Sequence, residues 1–335
     1  MIANQSGSYG IIPWHESMKI RSFLKYVEIQ TKLASMISFA LGTVLALYRY
    51  QKFDVENFLL MFISLLSFDM TTTAINNYMD FKNAKKRTGY GYEKHNAIVR
   101  DNIRESTAVI VIVVLFAIAV LAGFMLFLNT NAIVLIIGVI SFMVGVLYSA
   151  GPVPISRTPF GEIFSGIFMG FLIPFLSAVI HVMDRNILVL SLDNSVFTLQ
   201  MNVAEVLSVF ICSVPAVTGI ANIMLANNIC DMEEDLENSR YTLPLYIGKQ
   251  KAIFLFKMLY CVAYLSVATA ILIGIVPITG LLFFITLIPV TKNCRAFEQK
   301  QLKAETFALS VSNFTIMNTA LILALLLGAG IQMLY

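Results

Sequence analysis

Nine apolar runs, most of them close to 20 residues long, constrain this chain more than anything else in it. They lie at about 31–50, 57–80, 106–128, 131–149, 160–182, 203–228, 251–275, 277–291 and 306–330. Runs of that length match the hydrocarbon thickness of a bilayer, where continuous apolar segments satisfy their own backbone as helices. The run at 277–291 is the shortest, bounded by Pro277 and Pro289. Composition agrees. Hydrophobic residues make up 58% and charged residues 13% of the 335, which is too few charges to cover a soluble globule. Mean hydropathy is +0.79. The same arithmetic excludes disorder, collagen and a disulfide scaffold. Cys212, Cys230, Cys261 and Cys294 lie in or beside apolar runs without paired spacing. The expected fold is therefore all-α: a polytopic membrane protein with nine transmembrane helices in one domain over 1–335. Residues 1–30 form a polar N-terminal segment with no cleavable leader, and 81–105 and 229–250 form loops capping the bundle.

Orientation follows from Lys and Arg, which favour the cytoplasmic side. With the N-terminus inside, 20 of the 23 fall in inner segments, and only Arg49, Lys52 and Arg185 lie outside. A miscounted helix would scramble that alternation. The chain is thus expected in the cell membrane with a cytoplasmic N-terminus and an outer C-terminus. The net charge of +3 is topological and gives no argument for nucleic acid.

Polar groups inside spans are costly and mark functional candidates. They concentrate at two places. In the second run Asp69, Thr73, Asn76 and Asp80 are spaced 4, 3 and 4, one stripe of a helix. At the end of the sixth run Asn227, Asp231 and Asp235 share a face, with Glu233 and Glu234 between them. Both sites read Asn-Asn-x-x-Asp, 151 residues and four helices apart, which suggests a pseudo-repeat of four-helix units. Carboxylate and amide oxygens at one membrane face suit Mg²⁺, which takes one or two carboxylates and fills its other positions with water and phosphate oxygens; Mn²⁺ would suit the same ligands. Lys82, Lys85, Lys86, Arg87 and Arg240 stand nearby. Acids and bases at one rim above apolar helices imply a lipid diphosphate. Solvated loop charge is the plain alternative for an isolated acid, and Asp69 reads equally as a buried structural group. Two matched clusters weigh against the plain reading.

These residues resemble the UbiA superfamily of intramembrane prenyltransferases, whose layout places Asn-Asp-x-x-Asp-x-x-x-Asp after helix two and Asp-x-x-x-Asp after helix six. The naphthoate-prenylating branch, which acts in menaquinone synthesis, is the most similar. The stretch Asn227-Asn228-Ile-Cys230-Asp231 through Asp235, Arg240, Thr242 and Gly248 follows its second motif, and Tyr148-Ser149-Ala150-Gly151-Pro152 with Gly161-Glu162 follows its loop after helix four. Tyr78 and Phe81-Lys82 around Asp80 also suit that branch. The resemblance spans roughly 30–250. The chain departs from it at Asn77 and Ala84, where carboxylates stand in the family, and at Cys230, where the branch has Arg.

The resemblance implies a UbiA-like helical bundle and Mg²⁺-dependent transfer of a polyprenyl group from an isoprenyl diphosphate to an aromatic acceptor. The acceptor implied is 1,4-dihydroxy-2-naphthoate, decarboxylated on the way to demethylmenaquinone. It assigns Asp80, Asp231 and Asp235 as catalytic carboxylates, and Asn76 and Asn227 as further metal ligands beside those three. Asn76, Asn77, Tyr78, Lys82, Lys86, Tyr148, Arg157, Asn227, Asn228 and Arg240 are assigned to the substrates. Another aromatic acceptor, a non-catalytic lipid binder and a secondary transporter are the rival readings. Transporters keep their sites near the bilayer midplane, whereas these acids sit at the cytoplasmic ends. Trp14 is expected to anchor a short amphipathic helix over 14–27, Gly151-Pro152 to act as a lid, and His95 to be an ordinary loop histidine.

Overall fold

The structure is a computed structural model that describes residues 18–83, 96–193 and 196–334. Among them, nine helices are long and apolar enough to cross a membrane. They are α1 (Leu33–Tyr50), α2 (Val55–Asn83), α3 (Glu105–Asn129), α4 (Ala132–Ser149), α5 (Gly161–Val179), α6 (Val203–Cys230), α7 (Lys249–Leu272), α8 (Ile278–Gln299) and α9 (Phe307–Leu334). The expected run at 277–291 proves to be a 3₁₀ stretch, Ile278–Thr286, continued by an α-helix to Gln299. The tighter 3₁₀ winding rises about 2 Å per residue and lets a short apolar run reach further across the bilayer.

Helix ends follow local chemistry. Asn131 caps α4 by accepting from the N–H groups of Ile133 and Val134, and Asn202 caps α6 by accepting from Glu205. In α5 a π turn at Phe168–Leu172 leads into Pro174, which has no N–H to give the preceding turn. Opposite it Gly42 lets α1 approach closely: a Cβ there would overlap the Pro174 carbonyl.

The core runs along α1, α5, α6, α7 and α9, where Leu41, Phe175, Ala216, Phe256 and Phe314 are buried. Helix α2 packs along α3. Helix α4 is loosely held, with Val134 its one buried residue among those described. Arg49 and Lys52, two of the three cations expected outside, are paired: Arg49 with Glu205 at 2.8 Å, tying α1 to α6, and Lys52 with Asp184 at 2.6 Å.

Two elements add to the helical expectation. An antiparallel hairpin, β1 (Leu188–Asp193) with β2 (Val196–Met201), lies between α5 and α6 in the chain. A short helix, Ile20–Tyr26, precedes α1 within the span expected to be amphipathic. Trp14, Ala84, Lys86 and His95 lie outside the described residues.

Candidate active site

The end of α2 that carries Asp80 and the end of α6 lie on one side of the bundle, beside the loops that follow α4 and α6. Helix α6 stops at Asp231, whose backbone turns into a short helix, Met232–Glu237. That break places Asp231 and Asp235 one turn apart, both buried, at 7% and 1% exposure. Each carries one cation. Lys303 Nζ, from the loop between α8 and α9, lies 2.5 Å from Asp231 Oδ2. Arg240 Nε lies 3.2 Å from Asp235 Oδ1, and the Arg240 N–H donates to the Asp235 carbonyl at 2.8 Å. Thr242 Oγ1 donates to Asp235 Oδ2 at 3.1 Å. Burial raises the Asp235 carboxyl above the usual carboxylate range, with Arg240 and Thr242 opposing the rise.

From the other half of the bundle, Asn76 and Asp80 are exposed at the end of α2. Asp80 is within electrostatic reach of Arg157 and Arg240, so the two motifs share their cations. The loop after α4 is tied in as well, since Tyr241 N–H donates to the Arg157 carbonyl at 3.1 Å. The structure thus brings together Asp80, Arg157, Asp231, Asp235 and Arg240 from separate segments, with Asn76 and Asn227 on the same two helices.

Four expected residues have other partners. Asn77 is buried, and its amide donates to the Tyr26 carbonyl at 2.9 Å and to Glu28 Oε1 at 3.2 Å. Asn228 donates to Glu162 Oε1 at 2.9 Å, with both side chains buried. Tyr78 Oη donates to Glu105 Oε1 at 2.9 Å, and Lys82 pairs with the same oxygen at 2.6 Å. Those bonds turn Tyr78 and Lys82 toward the start of α3. Asp69 is a part-buried structural partner: it pairs with the buried Lys32 at 2.7 Å and accepts from Ser35, while Lys32 also donates to Thr73.

Below the rim, a cavity of about 490 Å³ runs between α2, α3, α4, α5 and α6. Its walls are almost wholly apolar, with Phe68 and Phe142 stacked 3.8 Å apart. Asp69, Tyr148 and Met224 are among the residues that line it, and Met224 lies one turn before Asn228 of the second motif. Tyr148 Oη lies 3.5 Å from the Gly161 carbonyl.

The chain matches the model of the UbiA prenyltransferase family over residues 35–318. It belongs to that family. The prenyltransferase is 33% identical over 247 residues to the 1,4-dihydroxy-2-naphthoate octaprenyltransferase of Bacillus subtilis (strain 168), covering 73% of this chain and 71% of that one. In fold it is similar to a UbiA homolog from Aeropyrum pernix K1, with a TM-score of 0.66 at 16% identity, covering 88% of this chain and 98% of the other. A UbiA homolog from Archaeoglobus fulgidus solved with GPP and Mg²⁺ gives 0.63 at 14%, covering 92% and 99%. As a UbiA-family enzyme it is an integral, multi-pass membrane protein, in keeping with its nine apolar helices.

The donors at this prenyltransferase's rim are hard oxygens, and three of the five candidates are carboxylates. Among the described residues no three His, Cys, Asp or Glu converge closely enough to cage an ion alone. An open half-site of this kind fits a divalent cation that shares its shell with water and substrate oxygens. Sequence reading missed Lys303 altogether, because only its charge distinguishes it, 72 residues from its partner. Thr242 lay in the second-motif stretch and Glu162 in the match that follows helix four, but neither was assigned a partner.

Proposed function

We propose that this prenyltransferase transfers a polyprenyl group from an isoprenyl diphosphate to 1,4-dihydroxy-2-naphthoate, with loss of CO₂, and that it needs Mg²⁺. The observation that carries this reading is an apolar cavity walled in part by α2 and α6, the two helices whose ends lead to the paired carboxylates and cations, a combination that suits a lipid diphosphate. The naphthoate acceptor is supported by the Bacillus subtilis relative, and the metal with an isoprenyl diphosphate by the Archaeoglobus fulgidus neighbour.

Asp231, Asp235 and Asp80 would hold the ion, with Asn76 and Asn227 completing the set. Bound there, Mg²⁺ supplies positive charge against the leaving diphosphate. Arg157 and Arg240, both within reach of Asp80, face the diphosphate oxygens; Lys86, and Lys82 on release from Glu105, are the further candidates. The allylic C–O bond breaks with its electron pair going to the diphosphate. The apolar walls exclude water from the resulting cation, and the Tyr148 ring offers it a negative face. The ring carbon bearing the acceptor carboxylate forms the new C–C bond. The electron pair from the C–CO₂ bond restores aromaticity as CO₂ leaves. In this reading the rim faces the cytoplasm, with the C-terminus on the opposite side.

The test is an assay in membranes with dihydroxynaphthoate and a series of isoprenyl diphosphates, with and without Mg²⁺, read by product mass. A prenylated, decarboxylated naphthoquinol formed only with Mg²⁺ is expected. Product from another aromatic acceptor and none from dihydroxynaphthoate would move the acceptor assignment. Silence with every acceptor would overturn the reaction.

A further inference from the structure

We propose that Lys303 is a diphosphate-binding residue parked on a carboxylate of the metal site until substrate arrives. The inference rests on the function proposed above and adds a ligand that neither motif contains. Lys303 lies on the segment joining α8 to α9, remote from both motifs in sequence, yet its Nζ reaches Asp231 Oδ2 at 2.5 Å.

The two acids of the second motif hold their cations differently. Arg240 is the less exposed of the two, with a side chain 32% exposed and a backbone N–H that donates to the carbonyl of its own partner, Asp235. Lys303 is 55% exposed beside an Asp231 side chain that is 8% exposed, so it approaches from the open side of the rim. Its backbone is well anchored: Lys300 pairs with Glu305 at 2.7 Å, and Leu302 N–H donates to Thr306 Oγ1 at 3.1 Å. A rigid base carrying a four-carbon stem lets Nζ move while the loop stays still.

The charges around it define the exchange. The neighbouring Cys230 sulfur lies within electrostatic reach of Asp231, Lys303 and Lys249, so a second lysine stands near this end of α6. Asp231 cannot serve an ammonium and a divalent cation at the same oxygen, because like charges at that separation repel. Lys303 therefore leaves Asp231 as the ion binds. The nearest strong acceptors then at the rim are the oxygens of a diphosphate. Lys303 adds a point charge to the leaving group that Arg157 and Arg240 already face.

The exchange predicts opposite effects on two binding steps, which a purely structural lysine would not give. The full-length protein in detergent is titrated with Mn²⁺ alone, read by the electron paramagnetic resonance of free Mn²⁺. It is then titrated with geranyl S-thiolodiphosphate in Mg²⁺, read by calorimetry. Lys303→Gln is expected to bind Mn²⁺ alone about threefold more tightly, the worth of losing a half-exposed ion pair. It should bind the thiolodiphosphate about tenfold more weakly, one charge-assisted bond. Lys303→Arg, which keeps the charge, should stay within about twofold of wild type for the thiolodiphosphate. An unchanged thiolodiphosphate affinity in Lys303→Gln would overturn the proposal, as would a parallel fall in both affinities. Wild-type protein that binds no thiolodiphosphate with Mg²⁺ would bring down the proposed function itself, and this inference with it.

Discussion

Asn228 gives its amide to Oε1 of Glu162 at 2.9 Å, as Asn77, 151 positions earlier, gives its own to Oε1 of Glu28 at 3.2 Å. Glu28 precedes α1 and Glu162 opens α5, so in each half the motif helix is bolted to the entry of the helix before it. The second Asn of each Asn-Asn pair is that bolt. The first Asn and the following Asp are left for the rim. The shared Asn-Asn-x-x-Asp string thus reflects one construction used twice, in which one of the three letters holds helices together.

A carboxylate at position 77 would restore the family's first motif on paper. Here it would face the Tyr26 carbonyl and the Glu28 carboxylate with no proton to give. Asn77→Asp is expected to lose about 2 kcal/mol of stability, the cost of a buried bond turned repulsive, and to leave the Mg²⁺ requirement of turnover unchanged. Thermal melting in detergent and a metal titration of activity check the two halves of this statement.

Removing the second bolt should do more. In Asn228→Ala the Glu162 carboxylate, 4% exposed, loses its donor. A drop of about 3 kcal/mol is expected, measured as a lower melting temperature relative to Asn228→Gln, which keeps an amide.

Asp231→Asn and Asp235→Asn should each fold and each lose about 100-fold or more of turnover, because a neutral amide holds a hard cation weakly. Product mass from equal amounts of monodisperse protein is the measure. Wild-type rates in either variant would remove that carboxylate from the metal site.

Gly138 lines the cavity, and a Cβ there would meet nothing within 4 Å. Filling that space shortens the room for a tail without forcing the backbone. Gly138→Phe is expected to shift the accepted isoprenyl diphosphates toward shorter chains, seen by competing several lengths in one reaction. An unchanged product distribution would separate this cavity from the tail.

His181, just beyond the end of α5, accepts from the Asp54 N–H at 3.1 Å and stacks on Phe53, with ring centroids 5.0 Å apart. Burial lowers its pKa from 6.5 to about 4. The folded state therefore holds neutral imidazole. Its contribution is complete above pH 6.5 and is lost as pH falls toward 4, about 3 kcal/mol in all. Melting curves of wild type and His181→Gln across that range should converge toward acid pH.

The spans were legible because lipid leaves the backbone few choices, and the meeting of Asp80 with the second motif was legible from spacing and pattern. The β1–β2 hairpin was not. Its Leu, Val and Thr residues form two strands of six residues, too short to stand out between two membrane helices. Tyr78, Lys82 and Asn77 carried the right chemistry for substrate, yet an amide, a phenol and an ammonium bond neighbouring helices equally well. Only coordinates show which partner each has taken. Lys303 left no pattern at all, since a long-range ion pair is set by tertiary geometry and not by spacing.

Helix α4 supplies Val134, Leu135, Gly138, Val139, Phe142 and Gly145 to the cavity, while Val139, Ile140, Met143 and Leu147 are exposed. The partition between this cavity, the site proposed for the tail, and the surrounding bilayer is therefore a single helix thick. Acyl-chain packing and lateral pressure act directly on the width of that site, so the lipids around α4 belong to the enzyme's working parts, and the same protein in thin and thick membranes should not be the same catalyst.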